Sequence, residues 1–296
     1  MGTMIIDNRK VEFNGEKNVL EVVRKAGIDL PTFCYYSELS IYGACRMCIV
    51  EDNRGKIFTS CSQTPRDGMV IFTQTPKLRR YRKTILELLL SNHDRDCTSC
   101  NITGRCDLQK LARRFGIDEI RFGELDKKLP IDNSSHSIVR NPNKCIYCGD
   151  CVRVCEEVQG VGALSFTHRG SDLRISPAFN KSISEVNCVS CGQCRTSCPT
   201  GAITVKDDRD EFWNVIGDKN KRVVVQIAPA VRVALGERFG LDAGDITIGK
   251  IVSALKMIGV DEVYDTAFAA DLTVIEESNE FVERFTNEEN LPLFTS

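Results

Sequence analysis

Long apolar runs are missing from this chain of 296 residues. The stretches Ile85 to Leu90 and Val223 to Val225 fall far short of the roughly 18 consecutive apolar residues a membrane span needs. The first ten residues carry charges of both signs and no apolar signal core, so no export is expected. Net charge of -2 and pI near 6.0 exclude a broad basic footprint for nucleic acid. No phosphate-binding P-loop and no nucleophile elbow is present. Gly160-Val-Gly-Ala-Leu-Ser begins like a dinucleotide loop, but its last position is wrong and no strand precedes it. The chain therefore offers neither a nicotinamide nor a flavin site of its own. Histidine is scarce, with three residues, and His136 and His168 read as surface or packing positions.

Cysteine is abundant: fifteen residues fall into four groups that use every one of them. An odd count without a signal segment fits metal ligation in a reducing compartment, which places the chain in the cytoplasm, better than a disulfide framework. Cys34, Cys45, Cys48 and Cys61 are spaced C-x10-C-x2-C-x12-C, and His93, Cys97, Cys100 and Cys106 read H-x3-C-x2-C-x5-C. Cys145, Cys148, Cys151 and Cys155 repeat as Cys188, Cys191, Cys194 and Cys198, each run C-x2-C-x2-C-x3-C. Soft anionic sulfur binds iron tightly, and ligands this close must wrap a cluster rather than one ion. Zinc is the competing reading, but its ligands usually come as separated C-x2-C pairs rather than four cysteines in eleven residues. The first set keeps the C-x2-C pair of a 2Fe-2S site with a longer gap before it, and Gly43 and Ala44 suit a loop passing close to sulfide. Three cysteines in the second set ask for a fourth ligand, and His93 stands beside the vacancy. Imidazole in place of thiolate should raise that cluster's potential. Metal removal should unfold much of residues 30 to 200.

Residues 4 to 13 read as two short strands around Asn8, and Val19 to Ala26 as a helix ending at Gly27. Met47 to Glu51 and Lys56 to Ser60 flank an Asp52-Asn-Arg-Gly turn, with a further strand over Met69 to Thr73. Lys77 to Ser91 is an amphipathic helix with Leu78, Tyr81, Ile85, Leu88 and Leu89 on one face. Its Arg79, Arg80, Arg82 and Lys83 read as a solvated face, or else as a docking surface for an acidic carrier. Residues 118 to 137 form a connector, and the duplicated cysteine runs predict a pseudo-two-fold unit over 138 to 205. From Arg222 strands over Val223 to Ile227 and Val260 to Tyr264 alternate with helices over Ile251 to Ile258 and Ala269 to Phe285, a marginal α/β core if alone.

This order of motifs resembles the accessory region shared by iron-only (FeFe) hydrogenases, the large iron-sulfur subunit of complex I and some formate dehydrogenases. Three segments are similar to the start of the iron-only hydrogenase catalytic domain: Gln226-Ile-Ala-Pro-Ala-Val-Arg-Val-Ala-Leu-Gly-Glu, Gly249-Lys-Ile-Val-Ser-Ala-Leu-Lys and Phe268-Ala-Ala-Asp-Leu-Thr-Val-Ile-Glu-Glu. The resemblance implies an α+β multi-domain chain. It comprises a β-grasp 2Fe-2S ferredoxin-like domain over 1–77, a small 4Fe-4S domain held by one histidine and three cysteines over 78–120, a two-cluster 4Fe-4S ferredoxin domain over 137–208, and a partial α/β domain over 222–296. It further implies one 2Fe-2S and three 4Fe-4S clusters. As in two-cluster ferredoxins, the fourth cysteine of each run crosses over: Cys198 joins Cys145, Cys148 and Cys151, and Cys155 joins Cys188, Cys191 and Cys194. Pro199 follows the second run as that pattern expects, whereas Glu156 stands where the first would have proline. The family continues from Phe-Thr-Ser into Cys-Cys-Pro-Gly-Trp with the first H-cluster ligand, and the sequence ends at Phe294-Thr295-Ser296, so these residues are expected to hold no catalytic ligand. The implied role is an electron wire in a hetero-oligomer, serving ferredoxin or a flavin-containing NAD(P)-binding subunit. It belongs either to a hydrogenase or to a bifurcating NAD(P)H-ferredoxin oxidoreductase that has lost hydrogenase activity.

Overall fold

Strand β1 (Gly2–Ile6) and strand β2 (Arg9–Phe13) pair antiparallel around Asp7 and Asn8, whose positive φ angles of 48° and 66° close the tight turn. In the computed structural model, which describes residues 1–123 and 128–294, helix α1 (Val19–Lys25) follows, capped by the Asn18 side chain accepting from the Glu21 N–H. Strands β3 (Ile49–Asp52), β4 (Ile57–Thr59) and β5 (Val70–Phe72) complete a mixed sheet of order β2-β1-β5-β3-β4, with β1 and β5 parallel. Met4, Ile6, Val50 and Ile71 of the sheet bury Val19, Leu20, Val22 and Val23 of α1. Cys48 and Cys61 lie in that same core.

Helix α2 (Pro76–Ser91) is capped by Thr75, but its buried face is not the expected one. Leu78, Arg82, Leu86 and Glu87 are buried, whereas Tyr81 and Leu88 are 43% and 49% exposed. The reason is Arg82: backbone carbonyls satisfy its guanidinium, which lets a charged residue occupy the inward stripe. Arg79 and Arg80 are exposed. Helix α3 (Asp107–Arg114) packs Leu108 and Leu111 beside Leu86. Part of the connector expected over 118 to 137, residues 124–127, lies outside the described residues, as do 295 and 296.

The duplicated region folds with internal symmetry. Strand β6 (Ile138–Arg140) precedes the first cysteine run and helix α4 (Asp150–Arg153) holds its third cysteine, Cys151; strands β7 (Ser165–Thr167) and β8 (Arg174–Ser176) form the hairpin between runs. Helix α5 (Gln193–Ser197) holds the third cysteine of the second run, Cys194, and strand β9 (Ile203–Val205) closes back antiparallel on β6. All of this belongs to one compact unit, Met1–Lys206.

The second unit, Asp207–Ser296, holds helix α6 (Arg209–Ile216), strand β10 (Val224–Ile227), helices α7 (Pro229–Ala234) and α8 (Ile248–Met257), strand β11 (Glu262–Asp265) and helix α9 (Thr266–Asn287). The two strands are parallel, as a β-α-β crossover requires. Its buried apolar core is thin, chiefly Ile227 and Val260, and Phe268, Leu272, Ile275 and Phe285 stand exposed along α9. No described helix is long and apolar enough to cross a membrane.

Candidate metal centres

All four cysteines of the first set are buried, at most 8% exposed. Cys34 and Cys45 bracket an irregular loop, Cys48 enters β3, and Cys61 follows β4 in a short 3-10 turn. The sulfurs meet in two pairs. A thiol hydrogen bond from Cys45 holds Cys34 down at about 6 and pushes Cys45 up; the bond from Cys61 does the same for Cys48, also about 6. Two pairs of thiols form a donor set that would suit a two-iron cluster. The N–H of Cys45 reaches Cys34 Sγ, and that of Phe33 reaches Cys45 Sγ, each at 3.4 Å. Such bonds favour thiolates and tune cluster potentials.

The two long runs adopt matching backbone. Tyr147 and Ser190, each just before the second cysteine of its run, have φ of 55°, and Gly149 and Gly192 follow at 77° and 74°. Arg46, in the C-x2-C pair of the first set, is also at 55°. Left-handed residues alternating with ordinary ones turn successive N–H groups inward, the concave nest that accepts anionic sulfur. Each run lines a cavity. Cys145, Cys148 and Cys151 share one of about 440 Å³, counting its open mouth, with Cys198 from the other run. Cys188, Cys191 and Cys194 share the second, about 420 Å³ on the same count, with Cys155. Burial pushes the Cys145 thiol up to about 12, that of Cys194 to about 11, and those of Cys148 and Cys151 well above their usual range. Thiols in such surroundings ionise when a metal cation supplies the missing charge. Among the described residues no three Cys, His, Asp or Glu side chains converge tightly enough for one ion, whereas zinc wants donors at about 2.0–2.3 Å. The two long runs line open cavities instead.

The second set is more open: Cys97 is exposed, Cys100 half-buried and Cys106 buried. Desolvation pulls the His93 pKa down to about 4, so the ring is neutral at pH 7. Its Nδ1 is buried without a hydrogen-bond partner. A neutral imidazole with an orphaned buried nitrogen fits a metal ligand. His136 and His168 are exposed, as expected, and the His168 ring meets the Asn180 amide at 3.1 Å.

Three sets adjoin. Cys34, Cys45, Cys106 and Cys148 share one core with Phe33, Met47, Leu86 and Ile146. A Cβ on Gly201, just past Cys198, would stand 2.9 Å from Cys100 Sγ. Sequence reasoning missed Arg153, the residue that ties the first set to the first run. Its guanidinium donates to the Cys34 carbonyl at 3.0 Å and to the Ser40 carbonyl, pairs with buried Asp150, and lies 5.6 Å from the Tyr42 ring centre. Its place inside the C-x3-C interval was the one available signal.

Fold and donor sets together define an iron-sulfur protein of mixed α/β build. Family models match in sequence order: the 2Fe-2S iron-sulfur cluster binding domain over 3–76, the NADH-ubiquinone oxidoreductase-G iron-sulfur binding region over 82–121, the 4Fe-4S dicluster domain over 144–202, and the iron only hydrogenase large subunit, C-terminal domain, over 221–296. The chain is similar to the N-terminal iron-sulfur region of iron-only hydrogenases and to the start of their C-terminal domain. It is 40% identical over 293 residues to the NADP-reducing hydrogenase subunit HndD of Solidesulfovibrio fructosivorans, covering 96% of this chain and 50% of that one. With iron hydrogenase 1 of Clostridium pasteurianum it shares 31% over 298 residues, 100% of this chain and 52% of that one. The chain thus spans about half the length of these curated relatives. In the crystal structure of an NAD+-reducing [NiFe]-hydrogenase in the H2-reduced state, one chain superposes with a TM-score of 0.65 at 30% identity, covering 69% of this chain and 87% of that one.

Proposed function

We propose that this chain is the electron-transfer chain of an iron-only hydrogenase-type oxidoreductase. It relays electrons between ferredoxin or a flavin-containing NAD(P)-binding partner subunit and a catalytic site beyond these residues, within a hetero-oligomer. Cys34, Cys45, Cys48 and Cys61 hold a 2Fe-2S cluster in a β-grasp domain; His93, Cys97, Cys100 and Cys106 hold a 4Fe-4S cluster. Cys145, Cys148, Cys151 and Cys198 hold a second 4Fe-4S cluster, and Cys188, Cys191, Cys194 and Cys155 a third. The clusters supply one-electron storage at low potential, near about -400 mV for all-cysteine centres of ferredoxin type. The residues around them hold the thiolates and exclude water. The observation that carries the reading is continuity: cysteines of the first three sets share packing, and Cys145, Cys151, Cys188, Cys194 and Cys198 share the next core.

A second reading has an observation of its own. The matched chain of the [NiFe]-hydrogenase structure is 87% covered, and the alpha subunit of an NADPH-Fe(3+) oxidoreductase from Geobacter sulfurreducens is 34% identical over 207 residues. Those relatives favour a wire in an NAD(P)H-linked complex without iron-only hydrogenase activity. Iron and acid-labile sulfide analysis of the purified chain tests what both readings share. About 14 iron per chain with matching sulfide is expected from one two-iron and three four-iron clusters; a zinc-dominated protein with little sulfide would overturn it. Hydrogen uptake by the purified native assembly then separates the two.

A further inference from the structure

Arg82 is fully buried in α2, and no ion pair to it is found among the described residues. Its Nε donates to the Met47 carbonyl at 3.1 Å, one terminal nitrogen to the Thr73 carbonyl at 2.8 Å, and the other to the Ile49 carbonyl. Met47 and Ile49 flank Cys48, so the guanidinium grips the backbone on both sides of one thiolate of the first set. Carbonyl dipoles offset only part of the cost of burying a full charge. A nearby anion would supply the rest. A cluster held by four thiolates carries net negative charge that deepens by one on reduction. Burial lowers the guanidinium's pKa to about 10, and the strongest opposing influence on it is the Cys48 thiolate.

We propose that Arg82 is the charge-compensating residue of the Cys34, Cys45, Cys48 and Cys61 centre, a fixed buried cation on α2 that raises the centre's reduction potential by favouring its reduced, more negative state. The inference rests on the 2Fe-2S reading of that set. Arg82 is a positioning and tuning residue that touches the backbone about a ligand. A purely structural role, clamping three carbonyls, would depend on the fork of the guanidinium; the electrostatic role depends on the charge.

The experiment is an EPR-monitored redox titration of the reconstituted full chain, reading the two-iron signal in wild type, Arg82→Gln and Arg82→Lys. In Arg82→Gln the reduced-to-oxidised ratio at fixed solution potential should fall at least tenfold, equivalent to about 59 mV for a one-electron couple. Arg82→Lys should stay within tenfold of wild type. A smaller effect in the glutamine variant, or a tenfold loss in the lysine variant, overturns the proposal. If Arg82→Gln fails to fold, Arg82→Lys decides alone by the same criterion. A wild-type chain with no two-iron signal strikes instead at the 2Fe-2S reading, and the proposal falls with it.

Discussion

Buried thiols and a buried imidazole respond to burial in opposite senses. Removing water opposes charge, so the Cys145 and Cys194 thiols are pushed toward neutrality, and the same force keeps His93 uncharged by lowering its pKa. The cysteines therefore release protons as metal binds, and the histidine need not. His93→Cys should keep a four-iron cluster while adding an anionic ligand, which lowers its potential. His93→Ala should lose about four iron per chain. Potential from an EPR titration and iron content together check this; an unchanged potential in the cysteine variant removes His93 from the ligand set. The candidate ligands stand out in the sequence because their cysteines come in closely spaced groups. Arg82 and Arg153 do not, because their partners are carbonyls far along the chain, and a backbone acceptor leaves no mark in side-chain pattern.

Symmetry-related elements need not bear symmetric costs. Gly149 and Gly192 occupy the same place in the two cysteine runs, both left-handed and both opening a short helix. A Cβ at Gly192 meets nothing within 4 Å, so Gly192→Ala should cost only backbone strain, about 1–2 kcal/mol. At Gly149 the Cβ would stand 2.9 Å from the Phe166 ring and 3.3 Å from Tyr42, which stack on each other with centroids 5.4 Å apart. Gly149→Ala should therefore cost clearly more in urea titrations, and equal midpoints for the two variants would refute the steric argument. The β7–β8 hairpin that supplies Phe166 was invisible beforehand: its strands are three residues each, too short for periodicity. A second element-level device is Asp132, in the connector. Burial raises its pKa, but the Ser134 hydroxyl, the Ile183 N–H and Arg140 outweigh that and leave it lowered. A carboxyl lowered in the native state adds stability above its unfolded pKa, near about 3.9, and loses it as pH falls through the native value. Asp132→Asn should accordingly lower stability at pH 7 and narrow its gap to wild type as pH drops below about 4. Acid unfolding followed by circular dichroism reads that convergence.

At the scale of the molecule, all fifteen cysteines lie at or before Cys198, inside the unit Met1–Lys206, and none lies in Asp207–Ser296. Motif order suggests three small domains within Met1–Lys206, which forms one compact unit in which residues of the first set, α2, α3 and the first run share a core. Spacing could not show this, since it is set by which faces meet. Cysteine side chains form part of each of the unit's three cores, beside aliphatic residues, and small cores of this kind gain from added ligation. Binding energy at such sites becomes folding energy. Stripping iron with a chelator under reducing conditions should therefore collapse hydrogen-exchange protection across β1 to β9. Protection in β10, β11 and α8, whose core of Ile227 and Val260 contains no thiol, should not change. Exchange followed segment by segment before and after chelation reads both halves of the prediction. Retained protection in α2 and α4 would mean that packing alone sustains the first unit and that its clusters are guests; loss throughout both units would mean that the second depends on the first.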